Sequence, residues 1–257
     1  MARLTKVQAK AHAEAVALLS KPALCLEERE FVFDNWQESA NHVNSAAAAF
    51  FTPLDLAFHL AIETSGCRTF IDLCAGIGAL AYATLQHNHH AGVDRMVCVE
   101  VNPDYVAVGR KLVPEAEWIV ANVESLPDLG LFDMALSNPP FGKVCKIRGP
   151  RYSTEADLAV IDIASGLAMY GTFIMPQMSL PFEYSGVAHH RIRPSAKFDK
   201  FNKATGIELH AGCGVDCSIF RDQWRGVAPN VEIACADFEA VRTAKASACA
   251  DLFTEAA

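Results

Sequence analysis

The residues best suited to chemistry lie in one short turn, Ser137-Asn138-Pro139-Pro140-Phe141-Gly142, which follows the apolar run Phe132 to Leu136. The run is predicted to be a buried strand, and two consecutive prolines force the chain to leave the sheet with a nearly fixed backbone. Asn138 offers a side-chain acceptor, Pro139 a carbonyl and Phe141 a flat apolar face. Two acceptors can bind the hydrogens of a planar NH2 group and free its lone pair, while the ring stacks on the plane that carries the amine.

This turn resembles the catalytic tetrapeptide (D/N/S)-P-P-(Y/F) of the S-adenosylmethionine-dependent amino-methyltransferases, which methylate adenine N6, cytosine N4 or glutamine amides. The resemblance implies that the catalytic residues are Asn138, Pro139, Pro140 and Phe141. The alternative is a proline-rich turn that binds no ligand, so the assignment depends on other motifs.

A glycine-rich stretch lies upstream, Asp72-Leu73-Cys74-Ala75-Gly76-Ile77-Gly78, and is predicted to join a strand to a helix. Glycines let the backbone turn sharply and approach a ligand closely. The Gly-x-Gly pattern also occurs in dinucleotide-binding folds, but the third glycine of the nicotinamide fingerprint is replaced here by Ala81. The stretch resembles the first cofactor motif of methyltransferases.

Three further predicted strands also end on a polar residue. The carboxyl ends of parallel strands meet at one sheet edge, where ligands of open α/β sheets bind. A carboxylate after the second strand suits ribose hydroxyls, and the resemblance implies that an amide after the third holds the adenine amino group of the cofactor. The four matching residues, at the ends of predicted strands 70–73, 95–101, 118–120 and 132–137, are Asp72, Glu100, Asn122 and Asn138.

The segment Phe50-Phe51-Thr52-Pro53 precedes the glycine-rich stretch. Thr52 is predicted to cap a helix whose first residue is Pro53. The segment also resembles the (F/Y)-(T/S)-P motif of the gamma-order DNA adenine methylases, where it borders the methionine part of the cofactor. The order of the three motifs over about residues 50 to 240 is that of the gamma-order adenine N6-methyltransferases.

The resemblance implies an α/β fold of the Rossmann-like class I methyltransferase type, with a mostly parallel seven-stranded sheet flanked by helices. Its closing antiparallel pair is predicted at Ile207 to Cys217 and Val231 to Phe238. We expect an N-terminal helical arm over residues 1–48, the methyltransferase domain over 49–240 and a C-terminal tail over 241–257. With S-adenosyl-L-methionine as the cofactor, its implied binding residues are Phe51, Thr52, Pro53, Asp72, Cys74, Ala75, Gly76, Gly78, Glu100, Val101, Asn122, Val123 and Asn138.

Charge is unevenly distributed along the chain. The net charge of −8 at pH 7 argues against a protein that grips nucleic acid with its whole surface. The segment 143–203 nevertheless holds nine Lys or Arg and five Asp or Glu, and it follows the catalytic turn directly. A basic stretch with interspersed aromatics can track a nucleic-acid backbone, although a solvated loop is the alternative. The candidate nucleic-acid-binding residues are Lys143, Lys146, Arg148, Arg151, Arg191, Arg193 and Lys197, the first four in a loop expected to be mobile.

The nine cysteines are scattered, and no secretory signal precedes them, so reduced thiols are expected. The spacing His210-x2-Cys213-x3-Cys217 offers three metal ligands without a convincing fourth, and no metal is predicted. No apolar run approaches the roughly 18 residues of a membrane span. A soluble, cytoplasmic protein is expected.

The leading hypothesis is therefore an adenine N6-methyltransferase acting on DNA. Little chain follows the catalytic turn beyond the rest of the fold, so sequence specificity is expected to be low or to come from a partner subunit or a homo-oligomer. Methylation of adenine in ribosomal or transfer RNA is the second hypothesis, and methylation of a protein glutamine is the third. A non-enzymatic assembly subunit would require a broken site, and the motifs are intact.

Overall fold

A central β-sheet organises the chain in the computed structural model, which describes residues 5–37, 50–141, 145–225 and 229–243. Six strands form this sheet, and two short strands form a separate ribbon. In chain order the strands are β1 (Thr69–Leu73), β2 (Arg95–Glu100), β3 (Glu117–Val120), β4 (Phe132–Ser137), β5 (Ala168–Pro176), β6 (Phe182–Glu183), β7 (Arg191–Ile192) and β8 (Val231–Asp237). The ribbon pairs β6 with β7.

The strand order in the main sheet is β3-β2-β1-β4-β5-β8. The first five strands along this sheet are parallel, and β8 runs antiparallel to β5. The chain moves outward from β1 to β3 and then returns to β4 on the other side of β1. This reversal creates the crevice between β1 and β4 where ligands of doubly wound sheets bind. The predicted Rossmann-like, mostly parallel α/β fold is confirmed.

Seven α-helices that lie wholly within the described ranges cover the sheet, together with a helical segment described over residues 238–243, and they bury an apolar cluster on each of its faces. None of them is long and apolar enough to cross a membrane. The first cluster takes in α1 to α5, and the second takes in α6 and α7. The helices are α1 (Lys6–Leu18), α2 (Leu26–Asn35), α3 (Leu54–Ala61), α4 (Ala79–His87), α5 (Pro103–Leu112), α6 (Ala156–Ala164) and α7 (Ala196–Thr205).

The N-terminal arm, α1 and α2, is attached to the rest of the protein by polar contacts as well as by its apolar face. The Tyr82 hydroxyl of α4 donates to Glu30. Arg29 pairs with Glu115, which follows α5, at 2.8 Å. The guanidinium of Arg225 donates to two carbonyls at the C-terminal end of α2, where four carbonyls otherwise lack an intrahelical partner.

The sheet has six strands rather than the predicted seven. In the predicted strand over 207–217, His210 alone forms a bridge to β8, through paired backbone hydrogen bonds with Cys235. The backbone then turns at Gly212 and Gly214, whose φ angles are +57° and +74°. Left-handed residues cannot continue an extended ladder, so the pairing stops after one bridge.

The basic segment contains more regular structure than its composition suggests. Residues 182–203 show little hydrophobic pattern, yet they include the β6–β7 ribbon and most of α7. The Ser195 hydroxyl caps α7 by accepting from the Phe198 amide, and Gly206 ends the helix in the left-handed conformation. Only Phe198, Phe201 and Thr205 of this helix are buried, which explains its weak apolar signal.

The loop after the Asn-Pro-Pro-Phe turn, which we predicted to be mobile, is anchored by hydrogen bonds over its described part. Lys143 lies outside the described residues. The Arg148 amide donates to Glu124. The fully buried Asp162 of α6 accepts from the amides of Arg151 and Tyr152 and from the Arg151 guanidinium, at 2.6 to 2.8 Å.

Close packing joins α5, β3 and the start of α4. A Cβ atom at Gly109 would lie 2.2 Å from the ring of Trp118, and one at Gly78 would lie 3.0 Å from the same ring. The indole N–H of Trp118 donates to the Val113 carbonyl, which fixes the ring between the two glycines. Neither glycine can therefore be replaced by a larger residue without displacing Trp118.

The anchor at Asp162 should be a large contribution to stability. Asp162→Ala leaves the Arg151 guanidinium without its buried partner, and the loss of one partner of a buried pair costs about 3–5 kcal/mol. The matched control is Asp94→Ala, since Asp94 pairs with Arg68 and both side chains are 56% exposed. Solvent screens this exposed pair, so its loss should have little effect on stability. Urea denaturation of both variants measures the difference, and equal losses would contradict the assigned role of Asp162.

Candidate active site

A cavity of about 390 Å³ opens at the carboxyl edge of the sheet. Its volume falls within the roughly 300–1,000 Å³ of small-molecule sites. Eleven of the thirteen predicted cofactor residues line it: Phe51, Thr52, Asp72, Cys74, Ala75, Gly76, Glu100, Val101, Asn122, Val123 and Asn138. Pro53 and Gly78 lie outside the wall, where each stands at the start of a helix, α3 and α4 respectively.

The glycine-rich turn bends sharply beneath this cavity. Gly76 and Gly78 have φ angles of +58° and +93°, and Cys74, at +60°, is the single non-glycine residue with a positive φ in the described ranges. Glycine adopts such angles freely, whereas Cys74 carries backbone strain, and strained residues are concentrated at ligand sites. A Cβ atom at Gly76 would meet the ring of Phe51 at 3.3 Å, so glycine is needed for this close approach.

Glu100, at the end of β2, holds the glycine-rich turn in place. Its carboxylate is buried and accepts from the amides of Gly76 and Asn102, both at 2.9 Å. Burial raises its pKa, and these amide hydrogen bonds offset part of that effect. A carboxylate can accept about four hydrogen bonds, so capacity remains for hydroxyl groups in the cavity.

Asp72, at the end of β1, is a buried carboxyl that lacks a partner. Its side chain is 1% exposed, and neither oxygen has a hydrogen-bond partner among the described residues. Burial raises its pKa well above the usual value. The Ala81 backbone N–H, which forms no regular hydrogen bond with the carboxyl group, offsets part of that effect, and the Glu100 carboxylate adds to it. Buried polar groups are nearly always satisfied, so these two oxygens suit a ligand with hydrogen-bond donors or positive charge.

Asn122 lies after β3, as predicted, but it is exposed and its amide is engaged locally. Its Oδ1 accepts from the Glu124 amide at 3.0 Å, and its Nδ2 donates to the Glu124 carboxylate at 3.1 Å. Glu124 also lines the cavity and holds the Arg148 amide. The acidic side chain next to Asn122 was not among the predicted site residues.

Asn138 is oriented by two hydrogen bonds. Its Nδ2 donates to the Phe50 carbonyl and to the Thr52 hydroxyl, both at 2.9 Å. A backbone carbonyl can only accept, so the nitrogen must face Phe50 and the oxygen must face away. That Oδ1 is buried and has no partner among the described residues.

The position of Thr52 corrects one prediction. Helix α3 is capped by Pro53, whose carbonyl accepts from the Ala57 amide, and Thr52 lies one residue before the cap. Its hydroxyl is used by Asn138 instead. The Phe-Thr-Pro segment and the catalytic turn are therefore in direct contact, although 86 positions separate Thr52 from Asn138.

The other residues of the Asn-Pro-Pro-Phe turn differ in their relation to the cavity. Pro139 and Pro140 line it. Phe141 is half-buried and packs against Phe50, with ring centroids 6.2 Å apart. Phe50 and Phe141 thus form an aromatic pair beside Asn138, where a planar ligand could stack.

The predicted nucleic-acid-binding residues differ in their exposure to solvent and in their ion pairs. Lys146 is exposed and lines the cavity, and Arg148 is exposed two residues later. Arg193 and Lys197 are half-buried and form no ion pair in the described part of the chain. Arg191 pairs on the surface with Glu183 at 2.7 Å.

Arg151 is the exception, because the structure argues against a role in nucleic-acid binding. Its guanidinium donates to Asp162, to the Ser165 hydroxyl and to the Thr205 carbonyl. These three acceptors occupy the charged head group and direct it into the protein. The sequence pattern could not separate this structural arginine from its exposed neighbours.

Other residues at the site besides Glu124 were missed. Tyr105, in the first turns of α5, lines the cavity beside Phe51, and its place after an Asn-Pro-Asp cap offered a signal for it. Ile147 and Cys145 line the cavity from the loop after the catalytic turn. In the described residues no group of three or more His, Cys, Asp or Glu is arranged to hold a metal ion.

Comparison with solved structures identifies the architecture. A candidate class I S-adenosylmethionine-dependent methyltransferase from Listeria monocytogenes superposes with a TM-score of 0.56 at 13% identity, over 85% of this chain and 69% of the other. The fold is that of the class I methyltransferases. A candidate RNA methyltransferase from Pyrococcus horikoshii gives 0.53 at 17% identity, over 87% of this chain and 96% of the other.

A third similar structure is the methyltransferase subunit of a type I restriction-modification system from Streptococcus thermophilus. It gives a TM-score of 0.53 at 13% identity, over 81% of this chain and 49% of the other. No protein-family model matches the sequence, and the comparison with curated proteins finds no match either. At these identities the similarity establishes the fold alone.

The unpaired carboxyl of Asp72 should make the unliganded protein less stable at neutral pH. Because folding raises its pKa above the usual 3.8, its stabilising effect is complete below that pH and is lost as the pH rises through the folded-state pKa. Asp72→Asn should therefore raise the free energy of unfolding at about pH 8, and the gain should shrink toward about pH 4.

Urea denaturation at the two pH values measures this effect. The control is Asp104→Asn, an exposed carboxyl that should show no such gain. An Asp72→Asn protein that is less stable than the wild type at about pH 8 would contradict the burial of an uncompensated charge at this position.

Proposed function

We propose that this protein transfers a methyl group from S-adenosyl-L-methionine to the exocyclic N6 amine of adenine in DNA. The observation that carries the proposal is the state of Asn138, whose oxygen is buried, unpartnered and held beside the cavity. An acceptor fixed in this way suits an amine hydrogen. The two prolines that follow Asn138 and the Phe50–Phe141 pair supply the rigid turn and the aromatic surface that a planar amine requires.

The cavity suits the proposed cofactor in charge and in hydrogen bonding. The methyl donor carries a positive sulfonium, an ammonium group, a ribose diol and an adenine. Asp72 has two unpartnered oxygens, and Glu100 has acceptor capacity left after binding two amides. Both carboxyl groups have pKa values raised by burial, so a cationic ligand would relieve an unfavourable environment.

The reaction that follows is a direct displacement. When bound, the cofactor would supply an activated methyl group. The amine nitrogen would form a bond to the methyl carbon as the carbon–sulfur bond breaks and its electron pair returns to sulfur. Asn138 Oδ1 and the Pro139 carbonyl would accept the two amine hydrogens, so that the nitrogen lone pair leaves conjugation and points toward the methyl carbon. The excess proton passes to water. Positioning and fixed dipoles can supply most of the rate enhancement, and no general base is required.

Exposed cations near the cavity favour a nucleic-acid substrate. Lys146 and Arg148 lie in the loop that joins the catalytic turn to α6, and Lys146 lines the cavity itself. Their charges can contact the phosphates on either side of a base that has entered the site. In duplex DNA that base must first be flipped out, at a cost of a few kcal/mol, whereas a single strand avoids this cost.

RNA is the second candidate substrate, and one comparison favours it. The candidate RNA methyltransferase from P. horikoshii is matched over 96% of its length, whereas the restriction-modification subunit is matched over 49%. The two chains match over most of their lengths, which supports a compact RNA methyltransferase as the alternative function. The base chemistry at Asn138 is the same for both nucleic acids.

The deciding experiment is transfer of labelled methyl from S-adenosylmethionine to unmethylated duplex DNA, single-stranded DNA, total RNA and a protein lysate. Digestion to nucleosides and mass spectrometry then identify the labelled product. We expect N6-methyladenine in DNA. Label in RNA adenine would assign the second candidate, and label in a protein glutamine would overturn the nucleic-acid proposal while leaving the cofactor assignment intact.

Removal of the Asn138 acceptor should separate catalysis from cofactor binding. Asn138→Ala is expected to lower kcat by about 10²–10³-fold, as for other fixed polar groups that stabilise a reacting centre. Cofactor affinity should stay within about tenfold, measured by calorimetry with S-adenosylhomocysteine.

The matched control is Thr52→Val, which removes one of the two bonds that orient the amide but keeps its oxygen. Loss of one hydrogen bond of about 1 kcal/mol should reduce kcat by about fivefold. Normal turnover by Asn138→Ala would exclude the proposed role of its side chain.

A further inference from the structure

The aromatic wall of the cavity continues into the N-terminal arm. Phe51 and Tyr105 line the cavity and contact each other edge to face, with ring centroids 5.2 Å apart. Behind them stands Trp36, which follows α2 and does not line the cavity itself. Its ring lies 5.6 Å from Phe51 and 6.1 Å from Tyr105, at interplanar angles of 65° and 88°.

Trp36 is itself held firmly. It is 7% exposed, and its carbonyl and that of Phe33 accept from the Arg225 guanidinium. The next amide, that of Gln37, donates to His12 Nδ1 at 2.9 Å. Burial, together with the nearby Arg225, lowers the pKa of His12, which keeps this nitrogen an acceptor at neutral pH.

Phe51 therefore has little freedom. One side of its ring meets the backbone of Gly76 in the glycine-rich turn, and other sides meet Tyr105 and Trp36. Edge-to-face pairs of this kind each contribute beyond simple burial and have a preferred geometry. Without Trp36 the ring could move back into the vacated volume, and the wall of the cavity would lose its shape.

We infer that Trp36 is a positioning residue for the cofactor site, and that the N-terminal arm is a functional part of that site through this one ring. The inference rests on the proposed use of S-adenosylmethionine. It assigns to the arm a role that neither the catalytic turn nor the glycine-rich stretch would reveal. The competing explanation is that Trp36 only contributes to the core, in which case its loss would affect stability alone.

Calorimetry with S-adenosylhomocysteine distinguishes the two explanations, because it measures the site without any methyl acceptor. Trp36→Leu should raise the Kd about tenfold, while Trp36→Phe, which keeps an aromatic edge, should stay within about threefold of the wild type. The matched control is Val32→Ala, a fully buried position of the same arm whose carbonyl accepts from the Trp36 amide, a backbone hydrogen bond that the substitution keeps. It should lower the midpoint of thermal unfolding by a similar amount and leave the Kd unchanged.

Wild-type affinity in Trp36→Leu, with a lowered unfolding midpoint, would overturn the inference, and so would an equal loss of affinity in Val32→Ala. If Trp36→Leu does not fold, Arg225→Met carries the test, since it removes the hydrogen bonds to the Trp36 and Phe33 carbonyls but keeps the ring. Its Kd should rise about threefold, and an unchanged Kd would overturn the inference. Failure of the wild type to bind S-adenosylhomocysteine would instead refute the cofactor assignment in the proposed function.

Discussion

The Asn138 amide donates its two N–H groups to a segment that lies 86 and 88 positions earlier in the chain. This contact fixes which end of the amide faces the cavity, and it joins the entrance of α3 to the exit of β4. Because both N–H groups are already used, the unpartnered oxygen is the hydrogen-bonding group that the amide has left for a ligand. Without this contact the sheet could still form, but the catalytic turn would present its polar groups in no defined direction.

The same edge of the sheet concentrates negative charge where few groups offset it. Asp72 and Glu100 are buried at the ends of adjacent strands, and Glu124 stands at the rim. Folding to this arrangement is unfavourable without a ligand, since buried carboxyl groups disfavour ionisation. The core on both faces of the sheet compensates for it. A cation that binds here relieves the unfavourable burial of these carboxyl groups, and this relief adds to its binding affinity.

Strand positions and their polar ends could be predicted because buried parallel strands appear as short apolar runs, and the run from Phe132 to Ser137 matches β4 at both ends. Contacts between segments that are distant in the chain could not be predicted in this way. The pairing of Arg151 with Asp162 looks the same in sequence as an exposed basic loop beside an acidic helix. Trp36 appeared as one more apolar residue of the arm, since its neighbours Phe51 and Tyr105 are far away in the chain. The missing seventh strand depended on the conformations of Gly212 and Gly214.

The packing of Trp118 between Gly109 and Gly78 has a consequence for how this protein tolerates sequence change. Gly109 lies on α5 and lines no part of the cavity, yet any side chain there would push the indole toward the turn beneath the ligand. Position 109 should thus be conserved among homologues of this protein as strongly as the glycine-rich turn. In an alignment of these homologues, Gly109 would look like a ligand-contacting residue. The reason for its conservation is instead the space that the indole ring of Trp118 occupies.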